Sequence, residues 1–282
     1  MNKLLQAMDK VRKSEHASPI RFDEQRIERE FSTLGTFIGK ESSPNREVQV
    51  KYSKTKVQTN DPKILKKNKI LSINDDDRET TNQLRYLRTQ VLDKLKAIGG
   101  NSLLITSANS YEGKTFTSIN LGVSIAKEFD KTVLIIDADL RKSSHNHCVF
   151  SKDFFDLDVD KGLVDYLEGN AEIPEILINP GIPKLTLIPS GKPTPNAAEL
   201  LNSAKMQEMM AEIKKRYPSD RLIIVDGPPL IQYPDPIILS RFVDGVLLIV
   251  EAEKTSSEDL RKVIANLKDI PIIGTVLNKN KG

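Results

Sequence analysis

From Ser102 onward the chain alternates short runs that are apolar almost throughout with longer stretches of helical period, and few folds accept that pattern. The runs are SLLITS (102–107), TVLIID (132–137), KLTLIPS (184–190), RLIIVD (221–226), GVLLIVEAE (245–253) and IIGTVLN (272–278). Helical stretches over 115–129, 197–217 and 256–269 lie between them. A strand with apolar side chains on both faces needs cover on both, which is the situation of a parallel sheet wrapped by helices. The pattern predicts an α/β fold, a doubly wound mostly parallel sheet whose ligands bind beyond the carboxyl ends of the strands.

The first quarter reads differently. Residues 1–78 hold 17 Lys and Arg against 12 Asp and Glu, whereas the whole chain of 282 residues carries a net charge of only +3. In residues 1–13, Leu4, Leu5, Met8 and Val11 recur at helical spacing among Lys3, Lys10, Arg12 and Lys13, which predicts a short basic amphipathic helix. Its apolar stripe suits either packing on its own protein or a membrane surface. From about Ser32 to Asn74 no period is sustained, as in a flexible linker. Asp75, Asp76 and Asp77 then stand where they cap a helix over 78–97, with Leu84, Leu87, Val91 and Leu95 on one side. The domains expected are a basic helix and linker over 1–74 and a nucleotide-binding domain over 75–282. No apolar run approaches the roughly 20 residues of a membrane span. The opening residues lack a secretory leader, and a lone Cys148 excludes an internal disulfide, so a cytoplasmic setting is expected.

Directly after SLLITS comes ANSYEGKTF, which fits the phosphate-loop pattern [AG]xxxxGK[ST] between a strand and a helix. Such a loop cradles phosphates with backbone N–H groups and the helix N-terminus. Ala108, Asn109, Ser110, Tyr111, Glu112, Gly113, Lys114, Thr115 and Phe116 are therefore the expected nucleotide contacts. Lys114 neutralises phosphate oxygens, and the Thr115 hydroxyl is a Mg²⁺ ligand. Asp137 and Asp139 end TVLIIDADLR, and Asp226 ends RLIIVD before Gly227, Pro228 and Pro229. Any one of them alone would suit a turn cap. Three carboxylates beside a phosphate loop fit Mg²⁺ ligation or a general base, since Mg²⁺ prefers oxygen ligands. His145, His147 and Cys148 lack a fourth ligand at suitable spacing, so a structural metal site is not expected there.

LIIDADLR, GLVDYLEG (162–169), IPSGKPTPNAAELL (188–201) and IIVDGPP together resemble the bacterial tyrosine kinases, relatives of the MinD and ParA ATPases. Within them, the stretch from GKTF to DADLRK and the closing TVLNK are most similar to tyrosine autokinases encoded with exosortase-linked exopolysaccharide loci. The resemblance covers about residues 78–280. It implies MgATP bound by Lys114 and Thr115, with Asp137 as base, Asp139 and Asp226 around the metal, and Asn278 near adenine. The MinD and ParA branch usually adds a lysine near the loop start, where this chain has Asn109 and Ser110, and that favours the kinase branch.

The function implied is an ATP-dependent protein-tyrosine kinase acting with the cytosolic tail of a transmembrane polysaccharide co-polymerase, to control exopolysaccharide chain length, polymerisation or export. The alternative is a non-kinase ATPase switch that controls assembly of the same machinery. Peripheral attachment at the inner face of the plasma membrane is expected, and nucleic acid is not an expected partner. Relatives assemble through ExxRxxR, which here reads Asn82, Arg85, Arg88, with Glu79 one turn earlier as a substitute carboxylate. A homo-oligomer through Arg85 and Arg88 is expected. The last tyrosine is Tyr233, so no tyrosine cluster closes the chain. Tyr52 in the basic linker is the favoured acceptor, with Tyr86 and Tyr111 on the interface helix and the phosphate loop.

Overall fold

A computed structural model of the chain describes residues 55–57, 62–68, 70, 78–141, 150–216, 220–267 and 269–280. The amphipathic helix expected over 1–13, the Asp75–Asp77 cap, Tyr52, and His145, His147 and Cys148 lie outside these residues.

The chain forms β1 (Lys56–Val57), α1 (Pro62–Lys67), α2 (Arg78–Ala97), β2 (Ser102–Ser107), α3 (Lys114–Ala126) and β3 (Thr132–Asp137). After a π-helical turn (Phe150–Phe154) come α4 (Leu163–Glu168), α5 (Ile173–Ile176), β4 (Ile178–Asn179), β5 (Leu185–Ile188), α6 (Ala197–Leu201) and α7 (Ala204–Arg216). The domain closes with β6 (Arg221–Asp226), α8 (Asp235–Ser240), β7 (Gly245–Glu251), α9 (Ser257–Asn266) and β8 (Ile272–Asn278). One sheet holds the strands in the order β1-β4-β5-β3-β6-β2-β7-β8. All pairings are parallel except β4 with β5.

Alternate residues of the central strands feed two cores. Leu104, Leu134, Ile136, Ile223, Val225, Val246 and Leu248 pack with Met206, Met209 and Ile213 of α7 and Val263 of α9. Leu103, Ile105, Val133, Ile135, Leu222, Ile224, Leu247 and Ile249 pack on the other face with Val91 and Leu95 of α2 and Ile119 and Val123 of α3. This is the doubly wound arrangement that the apolar runs require.

Three expectations change in detail. Part of the stretch expected to be a flexible linker belongs to the folded unit. Lys56 and Val57 pair with β4, and Leu65 and Ile70 are buried in the second core. The helix expected over 197–217 is two helices, because Ser203 Oγ accepts the Met206 N–H at 3.2 Å and starts α7 afresh. The strand expected over 245–253 stops at Glu251, where the Thr255 hydroxyl accepts the Glu251 N–H at 2.9 Å and Glu253 turns with φ 62°. No helix among the described residues is long and apolar enough to cross a membrane.

Candidate nucleotide-binding site

β2 feeds the loop 108–113 directly into α3, so the N–H groups and positive dipole end of that helix meet at the loop. Gly113 caps the helix with φ 97°. A Cβ there would lie 2.0 Å from Asn278 Nδ2, so backbone conformation and space both require glycine. Tyr111 also takes a left-handed conformation, φ 65°, and projects outward, 61 % exposed.

The loop rests on a buried carboxylate. Glu112 is fully buried and accepts the Asn109 N–H at 3.1 Å and the Thr255 hydroxyl at 2.5 Å. From the β8 side, Asn278 Nδ2 donates to the Glu112 carbonyl at 2.9 Å, and Lys279 Nζ donates to the Tyr111 carbonyl at 2.6 Å. Lys279 also pairs with Glu251 at 3.2 Å. Partial burial opposes the charge of Glu251, but Lys279 and Lys254 outweigh it and hold its carboxyl below the usual range. Asn278 and Lys279 at the end of β8 thus hold two of the loop's carbonyls from that side.

On the other side lie β6 and β3, whose terminal residues Asp226 and Asp137 are register partners. Asp226 is fully buried and accepts the Thr115 hydroxyl at 2.7 Å and the Ser118 hydroxyl at 2.9 Å. Asp137 is 1 % exposed, and its Oδ1 accepts the Asp139 N–H at 3.3 Å. The strand ends at Asp137, so the two aspartates do not share an extended face. Asp139 lies beyond the strand on the wall of the cleft that opens at the loop.

Of the expected nucleotide contacts, Ser110, Tyr111, Gly113, Lys114, Thr115 and Phe116 line that cleft. Ala108, Asn109 and Glu112 support the loop from behind, and Asn278 braces its far side. Lys114, at the first position of α3, is 8 % exposed.

Other cleft groups went unread in the sequence. Arg141 Nε and Nη2 donate to the two oxygens of the fully buried Asp235 at 2.7 and 3.0 Å. Its guanidinium lies 5.0 Å from the Tyr233 ring centroid. The hydrogen bond to Asp235 raises the Arg141 pKa further above its ordinary value. Phe154 and Pro229 complete this wall. The available signal was the arginine directly after DADL and an acidic residue soon after IIVDGPP, but nothing in the sequence pairs the two.

Three of the motifs that carried the resemblance bond to one another. The Leu163 and Val164 N–H groups of GLVDYLEG donate to the Pro189 and Ser190 carbonyls at 2.8 and 3.0 Å, and the Thr194 N–H donates to the Leu140 carbonyl at 3.1 Å. The two expected interface arginines part company. Arg88 Nη1 donates to the Ser124 carbonyl at 3.0 Å and Nη2 pairs with Glu128 at 2.7 Å, so Arg88 serves its own fold. Arg85 stays on the exposed face of α2, bonded to Asn82 at 3.2 Å.

Among the described residues, no three His, Cys, Asp or Glu side chains form a cluster able to hold a metal ion unaided. A hydroxyl bonded to a buried carboxylate, as at Thr115 and Asp226, still offers hard oxygen atoms of the kind Mg²⁺ takes when phosphates and water complete its shell.

The AAA domain family matches residues 105–279. Tyrosine-protein kinase CpsD of Streptococcus agalactiae serotype III (strain NEM316) is 35 % identical over 179 residues, covering 63 % of this chain and 73 % of CpsD. Tyrosine-protein kinase ptk of Acinetobacter johnsonii is 30 % identical over 227 residues, covering 79 % of this chain but only 30 % of the length of ptk. The kinase domain of Escherichia coli tyrosine kinase ETK superposes with a TM-score of 0.62 at 29 % identity, over 71 % of this chain and 76 % of that domain. The likeness runs from the phosphate loop through both acidic strand ends to the last strand, and the chain belongs to the bacterial tyrosine-protein kinases built on the AAA domain.

Proposed function

We propose that the chain is an ATP-dependent protein-tyrosine kinase that moves the terminal phosphate of MgATP onto a protein tyrosine. One observation carries the reading. The Thr115 hydroxyl is bonded to buried Asp226 beside Lys114, with Asp139 facing them from the cleft wall. The loop N–H groups and Lys114 bind and orient the phosphates. Thr115 and Asp226 would hold Mg²⁺, which when bound neutralises charge on the phosphate oxygens. The phenolic oxygen of the acceptor forms a bond to the γ-phosphorus, the bond from that phosphorus to the β–γ bridging oxygen breaks, and ADP leaves. We assign the phenolic proton to Asp139, the carboxylate on the cleft wall, with Asp137 fixing its backbone from below. That reverses the expected order, and burial of Asp137 is the reason.

The polysaccharide context rests on the sequence resemblance. In this reading the kinase acts on the cytosolic tail of a membrane co-polymerase at the inner face of the plasma membrane, and governs polysaccharide polymerisation and export. Self-association uses the outer face of α2, where Arg85 stands beside Tyr86, 73 % exposed. Tyr86 and Tyr111 are the well-exposed tyrosines among the described residues, and Tyr52 is a further acceptor.

Incubation with labelled MgATP and the co-polymerase tail, read by mass spectrometry, should yield phosphotyrosine that disappears in Lys114→Ala. Phosphate released to water with no phosphotyrosine would instead favour the ATPase switch. Sedimentation of Arg85→Glu should show a smaller species than wild type; an unchanged species would remove α2 from the interface.

A further inference from the structure

The two sides of the phosphate loop are built for different tasks. The β8 side is closed by Asn278 and Lys279, which hold the Glu112 and Tyr111 carbonyls. The cleft opens on the side of β6 and β3, next to Lys114 and Thr115, so it meets the end of a bound nucleotide that carries the terminal phosphate. Its far wall is poorly suited to hold a phosphate chain. Phe154, Pro229 and Tyr233 present apolar and ring surface there, with Arg141 as the cation of that wall among the described residues and Asp139 nearby.

These groups are held in place before anything binds. Arg141 is locked side-on against the buried Asp235 by two hydrogen bonds and lies over the Tyr233 ring. The Phe154 carbonyl accepts Asn68 Nδ2 at 3.1 Å, and the next residue, Phe155, is fully buried with its ring 6.0 Å from that of Phe150. Rings take aromatic guests edge-on or offset, and a guanidinium attracts both ring faces and oxyanions.

We infer that Phe154, Tyr233 and Arg141 form the seat for the acceptor's phenol side chain. This inference rests on the kinase reading above and names where that reaction takes its second substrate. The ring of the incoming tyrosine packs against Phe154 and Tyr233, which directs its hydroxyl toward the terminal phosphate and Asp139. Arg141 stands beside the new phosphate ester, so the same wall that admits a neutral phenol steadies the charged product. Tyr233 and Phe154 are positioning and specificity residues here and take no proton.

The test compares full-length wild type with Tyr233→Ala, Phe154→Ala and Tyr233→Phe. A peptide spanning residues 46–58, which carries Tyr52 as its single tyrosine, serves as acceptor, and the wild-type protein autophosphorylated with MgATP alone is followed in parallel. Acceptor KM is read from phosphotyrosine formation, and ATP affinity from titration with a fluorescent analogue. Both alanine variants should raise acceptor KM, or the concentration for half-maximal autophosphorylation, by about tenfold with ATP affinity retained, the scale expected for losing one ring contact. Tyr233→Phe, which keeps the ring, should stay near wild type.

An unchanged acceptor KM in the alanine variants overturns the seat. So does a loss of ATP affinity of the same size, because the wall would then hold the adenine. Wild type that releases phosphate yet forms no phosphotyrosine on any acceptor refutes the kinase reading and the seat together, and is distinguished by the silence of the unaltered protein. A thermal melt of each variant separates loss of the wall from loss of the fold.

Discussion

Replacing Glu112 by Ala takes away the acceptor of the Asn109 N–H and of the Thr255 hydroxyl in a buried place. Leaving such donors unsatisfied costs about 1–3 kcal/mol each. Glu112→Ala should therefore lower stability by that order in denaturant unfolding, and should weaken ADP binding in titration because the loop loses its floor. Glu112→Gln keeps one acceptor oxygen and should recover part of both. If ADP affinity were untouched in Glu112→Ala, the loop would be holding its shape by other means. At this scale the phosphate-loop motif was legible in the sequence, because close approach to phosphate demands a fixed spacing of Gly113, Lys114 and Thr115. The sorting within the motif was not legible. Glu112 and Asn109 look like binding residues in a pattern, yet Glu112 turns away from the cleft to Thr255, 143 residues further on, and the Asn109 N–H bonds Glu112 in turn.

At the scale of elements, α3 lies close on the sheet because Gly122 faces Ile135. A Cβ on Gly122 would come within 2.6 Å of Ile135 Cδ1 and 3.2 Å of its Cγ1. Gly122→Val forces α3 away from β3 and should cost about 1–3 kcal/mol, the usual range for overpacking. Because α3 carries Lys114 and Thr115, nucleotide affinity should fall along with the melting temperature. Arg88 ties α2 to the far end of the same helix, through the Ser124 carbonyl and Glu128. A cation at a helix C-terminus and a part-buried ion pair together predict a loss of about 1–2 kcal/mol for Arg88→Ala. Thermal unfolding should show this at protein concentrations where self-association is absent. A stability change that appeared only in the associated state would return Arg88 to the interface. The strands β2, β3, β6 and β8 were readable to the residue, since runs that are apolar throughout leave little freedom in register. The strands β1 and β4, two residues each, are too short to show any period.

Across the whole molecule, Asp244 joins the amino-terminal edge of the sheet. Its Oδ2 accepts the Asn101 and Ser102 N–H groups and the Ser102 hydroxyl, and Oδ1 pairs with Lys214 of α7 at 2.9 Å. Burial alone would raise its pKa, but the Ser102 hydroxyl, Lys214 and the Asn101 N–H outweigh burial and lower it from 3.8. A carboxylate whose pKa is lower folded than unfolded adds stability that is complete above the unfolded value and is lost as pH falls through the folded one. Asp244→Asn should therefore be less stable than wild type at pH 7. The gap should narrow as pH drops below 3.8, measured by urea unfolding across that range. A gap independent of pH would mean that the hydrogen bonds matter and the charge does not.

The sequence by itself determined the sheet, the phosphate loop and the acidic strand ends, because each depends on local rules: apolar periodicity, a tight glycine turn, and carboxylates at the mouth of a parallel sheet. Only the tertiary structure decided which aspartate faces the cleft, that Arg88 is spent within the chain, that residues 56–57 join the sheet, and that Arg141, Asp235, Tyr233 and Phe154 form one wall. These facts depend on partners distant in sequence, such as Asp235, 94 residues after Arg141. Pairing at that range is set by how helices and loops close over the sheet, and no local pattern encodes it.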